Sequence, residues 1–272
     1  MAELLDKLLN FSIMNIDKPS GPTSFSVSDY VRKRLKISKT SHFGTLDPKV
    51  TGVLPIALGR ACKLTGFFLG HDKTYTGILH THKEISLEAL QKIINENFMG
   101  KIKQTPPKKS KVKRAERERE IKKFELLEKN QKDFLFKAEV QGGTYIRKLC
   151  HDLGIIIGGA HMAELRRTDA GIFNESTAIR LYQFEELLKS EEELSKVLIP
   201  AEEAIKKIMP SVQVNPKSIK SLLNGKPVFK QDIIGKIPDS EIFAIFHKEN
   251  LIEIAKKFIQ GDVIAKPEFV FN

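Results

Sequence analysis

Two alternating runs lie almost back to back in this chain, at residues 121–128 and 133–140. In the second, Phe134, Phe136, Ala138 and Val140 occupy every other position. A period of two puts these side chains on one face of a strand. The few residues between the runs leave no room for a crossover helix, so the strands must be neighbours in one sheet. That pairing excludes a fold built only from repeated strand–helix–strand units.

The surrounding pattern is mixed. Residues 11–16 read as a strand ended by the dense turn signal Asp17-Lys18-Pro19-Ser20-Gly21-Pro22. Ser24 is placed to cap a helix whose apolar positions are Val27, Tyr30, Val31 and Leu35. Residues 53–58 suit a buried strand followed by a helix through Leu69, and 73–80 suit another strand. Ser86 caps a helix carrying Leu87, Leu90, Ile93, Ile94 and Phe98. Residues 145–157 form a helix with a stripe at Tyr145, Leu149, Leu153 and Ile156. The class expected is α+β: a mixed or antiparallel central sheet flanked by helices. Pro200 and Pro210 mark a boundary, giving a large domain over 1–208 and a small β-rich module over 209–272. In that module the strands are expected at 212–214, 242–246 and 251–255, with a helix at 216–223.

Charge narrows the function classes. Lys and Arg total 45 against 34 Asp and Glu, a net +11, which favours a polyanionic partner. The excess is concentrated: residues 101–123 hold eleven basic residues against three Glu. This segment, starting at Gln104-Thr105-Pro106-Pro107, reads as a solvated basic loop over about 104–123. It is either a plain soluble surface or an arm that neutralises phosphates. Residues 185–205, with seven Glu and two Lys, are unsuited to a phosphate backbone. The only cysteines, Cys62 and Cys150, cannot build a disulfide framework or a four-cysteine zinc site. With no signal-peptide pattern and no apolar run near membrane-span length, a cytoplasmic protein with no membrane partner is expected.

Two stretches stand out as chemistry. His42-Phe43-Gly44-Thr45-Leu46-Asp47-Pro48-Lys49-Val50-Thr51-Gly52 carries two glycines and an Asp-Pro pair just before a buried strand. A loop held by a rigid strand is a good place to present a carboxylate, and Pro48 restricts the Asp47 backbone. An Asp-Pro pair alone is usually only a turn opener. The second stretch, Gly142-Gly143-Thr144-Tyr145-Ile146-Arg147-Lys148, runs into a helix start. A cation there opposes the helix dipole unless something negative pairs with it, so Arg147 is a candidate partner for a carboxylate or phosphate, or simply a surface arginine. Tyr75 is either a core filler or a stacking surface for a base. His161 with Glu164, or His151 with Asp152, lacks an i,i+4 histidine pair or a third ligand at a telling distance, and phosphate-binding glycine motifs are lacking, so neither metal nor cofactor is expected.

These stretches together resemble the TruB/dyskerin family of pseudouridine synthases, most closely its archaeal H/ACA guide-RNA-dependent branch. The resemblance is carried by residues 15–24, by GTLDPKVTGVLPIALGRACKLT at 44–65, and by Lys73-Thr74-Tyr75 and Pro106-Pro107. It continues through GTYIRKLCHDLG at 143–154 and GAHMAELRRT at 159–168. It implies that Asp47 is the catalytic aspartate, Tyr75 the aromatic that stacks on the target uracil, and Arg147 the partner of the aspartate. Lys18, His42 and Leu165 would bind substrate, and residues 104–123 would be a thumb-like loop whose Lys108, Lys109, Lys111, Lys113 and Arg114 contact RNA. Residues 209–272 resemble a short PUA domain. The partners implied are an H/ACA guide RNA, rRNA or tRNA substrate and small accessory proteins. A stand-alone tRNA T-loop enzyme and a non-catalytic RNA-binding scaffold are the alternatives. One departure is local to the site: Phe43 stands where the family commonly has serine. Asp47 and Arg147 are expected to meet in a site that excludes water, where the arginine offsets the cost of desolvating the carboxylate.

Overall fold

The computed structural model describes residues 2–106 and 115–272. Its larger sheet contains β1 (Ser12–Lys18), β2 (Thr40–His42), β3 (Thr51–Leu58), β4 (Lys73–Thr81), β5 (Gly100–Gln104), β6 (Arg117–Asn130) and β7 (Asp133–Val140). It is completed by β8 (Ala160–Ala170), β9 (Phe173–Asn174), β10 (Ile179–Arg180) and β11 (Leu198–Pro200). The main order is β10-β1-β3-β8-β4-β7-β6-β5. The pair predicted from alternation is present as the antiparallel β6–β7 ladder. Most neighbours are antiparallel, while β3–β8 and β1–β10 run parallel, which makes the sheet mixed. β8, which the sequence reading left unassigned, lies in the middle of the order and pairs with both β3 and β4.

One face of this sheet packs against helices. α2 (Ser24–Arg34) contributes Val27 and Val31, α4 (Leu87–Asn97) contributes Leu90 and Ile94, and α5 (Ile146–Ile157) contributes Ile146, Leu149, Cys150 and Leu153 to one core. Ser86 caps α4 as expected, accepting from the Ala89 amide. At α2 the cap is Thr23, not Ser24, and Ser24 is buried for another purpose described below. The stripe on α5 is also rotated from expectation. Leu149 and Leu153 are buried as expected, but Ile156 is exposed and Ile146 and Cys150 turn inward.

The expected basic loop is shorter than 104–123. β5 and β6 pair from Gly100↔Ile121 to Gln104↔Arg117, so 117–123 is strand. The reason lies in its charge alternation: Lys101 pairs with Glu118 at 3.0 Å and Lys103 with Glu116 at 3.3 Å across the ladder. Lys108, Lys109, Lys111, Lys113 and Arg114 lie outside the described residues.

The acidic stretch forms α6 (Leu181–Leu187), α7 (Glu191–Lys196) and α8 (Ala201–Ile208), following α1 (Ala2–Asn10) and α3 (Thr65–Leu69) in chain order. A second sheet follows, made of β12 (Ser211–Val214), β13 (Val228–Phe229), β14 (Ile233–Ile234), β15 (Ile242–His247), β16 (Asn250–Gln260) and β17 (Val263–Val270), with α9 (Ile219–Leu223) on it. The two sheets share an apolar core in which Phe11, Phe43 and Phe68 meet Phe246, Ile254 and Phe269. Phe43 is buried and stacks on Phe68, with centroids 4.5 Å apart and planes 4° from parallel. A serine could not fill that space, so the unusual residue is a core anchor directly before the Asp47 loop. Among the described residues no helix is long and apolar enough to cross a membrane.

Candidate active site

Asp47 sits on the loop between β2 and β3, and buried polar groups hold that loop from several sides. Ser24 Oγ donates to the Leu46 carbonyl at 3.0 Å and accepts from the Leu46 amide at 2.8 Å. Lys18 is fully buried, and its ammonium donates to the carbonyls of Pro19, Pro48 and Val50 at 2.8–2.9 Å. All three N–H donors of the lysine are thereby used. The Gly21 amide donates to Pro48, and the Val50 amide donates to the Asp47 carbonyl at 3.0 Å. The last bond closes a turn with Pro48 at its second position, where its fixed φ fits. Gly52, with φ +103°, is required where β3 meets β8: a Cβ there would lie 2.1 Å from the Arg167 carbonyl oxygen. Leu46 and Val50 turn into the core, leaving Asp47 between them on the outer side.

Arg147, second residue of α5, reaches this carboxylate: Nη1 lies 2.9 Å from Asp47 Oδ2. The helix-start cation thus has the negative partner that its position called for. The expectation of a water-excluding site is corrected, because the two side chains are 44% and 48% exposed. An open ion pair of this kind contributes about 0–1 kcal/mol to stability. Tyr75 on β4 and Leu165 on β8 lie in the same apolar core as Leu46, Val50 and Ile146, the residues flanking Asp47 and Arg147. Tyr75 is only 8% exposed in the free protein. His42, half-buried, is 3.1 Å from the Thr45 hydroxyl; burial and then the Arg167 charge lower its pKa. Lys18 is lowered by burial, an effect that the Asp47 charge opposes.

Sequence reasoning missed several supports. Arg167 is 1% exposed and donates to the carbonyls of Val53 at 2.8 Å and Gly44 at 3.1 Å, tying β8 to both ends of the Asp47 loop. Lys73 donates to Leu69 and His71 carbonyls; burial, then the Arg167 charge, pushes it down to about 8. Arg166 forks onto Asp17 and also meets Glu175. Arg166, Arg167 and Lys73 all fall inside stretches noted for resemblance, but nothing local marks a cation as buried. Beside the loop lies a cleft of about 320 Å³ bounded by Lys18, Pro19, Thr51, Arg180 and Tyr182.

Residues 32–146 match the profile of the TruB family pseudouridylate synthase N-terminal domain, and residues 147–206 that of the tRNA pseudouridylate synthase B C-terminal domain. The probable tRNA pseudouridine synthase B of Nanoarchaeum equitans is 37% identical over 268 residues, covering 96% of this chain and 74% of that protein. The protein of the same name from Methanocaldococcus jannaschii is 42% identical, covering 84% and 70%. Among solved structures, the chain matched in a Cbf5–Nop10–Gar1 complex is 34% identical with a TM-score of 0.86, covering 98% of this chain and 87% of that one. One from an H/ACA ribonucleoprotein bound to a substrate RNA containing 2′-deoxyuridine is 32% identical with a TM-score of 0.84, over 98% and 87%. The chain therefore belongs to the TruB family, whose enzymes isomerise uridine to pseudouridine in RNA. Its α+β fold, including the C-terminal β-module, is shared with the matched Cbf5 chain.

Proposed function

We propose that this protein is the catalytic subunit of an H/ACA guide RNA–protein assembly that isomerises uridines of rRNA and tRNA in an archaeal cytoplasm. The observation that carries this reading is the match, across 98% of the chain and both sheets, to a subunit solved with Nop10 and Gar1 and to one solved in an H/ACA ribonucleoprotein with substrate RNA. The partners expected are a guide RNA, the substrate RNA and small accessory proteins. Both cysteines are free thiols, as a reducing compartment leaves them.

In the proposed chemistry the uridine N1–C1′ bond breaks, the base turns, C5 bonds to C1′, and the proton leaving C5 is balanced by one gained at N1. Asp47 serves as the carboxylate that attacks or stabilises the sugar, or that takes up the C5 proton. Arg147, 2.9 Å away, aims it. The target base must leave its stack to arrive, and stacking on Tyr75 would return about 1–3 kcal/mol of that cost. Substrate RNA supplies the exclusion of water that the free protein lacks.

A second reading, a stand-alone tRNA T-loop enzyme, is favoured by the names of the sequence relatives. Uridine conversion in a tRNA transcript by the purified protein alone, and in a guide-matched rRNA fragment with guide RNA and accessory proteins, separates the two. Conversion only in the guided assembly establishes the first reading, and conversion by the lone protein the second. Activity that survives Asp47→Ala would sink the mechanism, and absence of conversion in either setting would favour the scaffold.

A further inference from the structure

Far along β4 from Tyr75, three imidazoles gather on one face of the large sheet. His80 stands directly across from His161 of β8 and from Asp133 of β7. His82, two residues on, falls on the same side by the period of a strand. The three ring centroids are 5.1 Å (His80–His161), 5.4 Å (His82–His161) and 6.1 Å (His80–His82) apart. His82 Nε2 and His161 Nδ1 face each other at 3.1 Å. Asp133 Oδ1 holds His80 Nδ1 at 2.7 Å. The cluster also has a built seat: Gly159, with φ +127°, lies against the His82 ring, and a Cβ there would come within 2.4 Å of its Nδ1.

We propose that His80, His82 and His161 form a binding site for a zinc-type divalent transition metal ion. In a tetrahedral site with metal–nitrogen bonds of about 2.05 Å, ligating nitrogens stand about 3.3 Å apart and imidazole centroids about 5 Å apart. Two centroid spacings and the His82–His161 nitrogen spacing are close to those values. As the side chains lie, no three donors among the described residues surround one point. The His82–His161 pair is therefore the preformed half, and His80 completes the site by turning its ring so that Nε2 faces the pair. On binding, the hydrogen shared between His82 and His161 moves to the far nitrogen of its ring, so that both facing nitrogens donate lone pairs. Asp133 plays the carboxylate–histidine part that orients a ligating imidazole. Imidazole donors suit Zn²⁺, Ni²⁺ and Cu²⁺ over Mg²⁺ or Ca²⁺. His80 lies five positions along the strand from Tyr75, roughly 17 Å at 3.3–3.4 Å per residue, so the ion would staple β4 to β8 away from Asp47.

The test is titration of chelator-treated full-length protein with Co²⁺, read by visible d–d absorption, followed by displacement with Zn²⁺ and a thermal melt. The expected result is one tightly bound tetrahedral ion per chain and a melting temperature raised by zinc. His161→Gln and His80→Gln should each weaken binding at least a hundredfold, and Asp133→Asn about tenfold. The metal-free melts and circular dichroism of these variants should match wild type, since the rings are at the surface. His151→Gln is the control and should bind like wild type. No saturable ion in the wild type, binding unchanged by His161→Gln or His80→Gln, or equal weakening by His151→Gln would each overturn the proposal.

Discussion

Glu253 offers the most quantitative test of how the small module is held together. Its side chain on β16 is fully buried, and neither carboxylate oxygen has a hydrogen-bond partner. Burial, with the Asp232 charge adding to it, pushes its pKa from 4.5 up to about 8. Between those two values the native protein keeps a proton that the unfolded chain has released. The associated stability is fully present below pH 4.5, falls as pH rises, and is lost once the folded group ionises near pH 8. At about 1.36 kcal/mol per pH unit the full loss is about 5 kcal/mol, an upper bound because an ionised side chain can move toward water. Glu253→Gln keeps the shape and removes the titration. Urea unfolding of both proteins between pH 5 and 9 should show the variant gaining on wild type up to about pH 8 and levelling off above it. Near pH 5 the two should be close, and at pH 9 the variant should be ahead by several kcal/mol. A stability difference that stays constant across that range would refute the reasoning.

Three further outcomes follow from the site. Arg147→Ala should cut uridine conversion about a hundredfold, the scale of a misplaced catalytic group, with a change in unfolding free energy below about 1 kcal/mol. Conversion kinetics and a urea melt on the same preparation check both halves. Lys18→Met should strip the ammonium from the Pro19, Pro48 and Val50 carbonyls and destabilise the fold by about 3 kcal/mol, read as a shift in the urea midpoint. Phe43→Ala should cost about 3–5 kcal/mol by opening a cavity against Phe68, with a matching fall in melting temperature.

Much of the sheet was legible because local rules and tertiary context agree there. The alternation at 133–140 and the Ser86 cap both report local physics. Where a side chain serves a distant partner, reading failed. Ser24 has the chemistry of a cap, yet Thr23 takes the cap while Ser24 clamps Leu46, a residue 22 positions away. β8 escaped notice because its Arg166, Arg167, Thr168 and Asp169 look like surface. Only the fold shows that Arg167 finds buried carbonyls on β3 and in the Asp47 loop. The cation at a helix start made Arg147 a candidate partner for a carboxylate or phosphate, or a surface arginine, and only the family resemblance singled out Asp47, which it does meet. The depth of the site was not legible, since exposure depends on what covers the loop.

That exposure bears on how the site works. Asp47 is rigid at its backbone and open at its carboxylate. The clamps from Ser24, Lys18 and Gly21 act on Leu46, Pro48 and Val50, and among the described residues only Arg147 forms an ion pair with the acid itself. In water an ion pair at 2.9 Å is weak, but the same pair under a bound RNA would sit at lower dielectric and interact several times more strongly. A loop already ordered spends no binding energy on arranging its backbone, so that energy remains for unstacking the uridine and expelling water. On the reading proposed above, the protein therefore supplies geometry and the RNA supplies the enclosure. A site divided in this way is quiet without substrate, and its half-exposed acid becomes an effective reagent only when the correct RNA covers it.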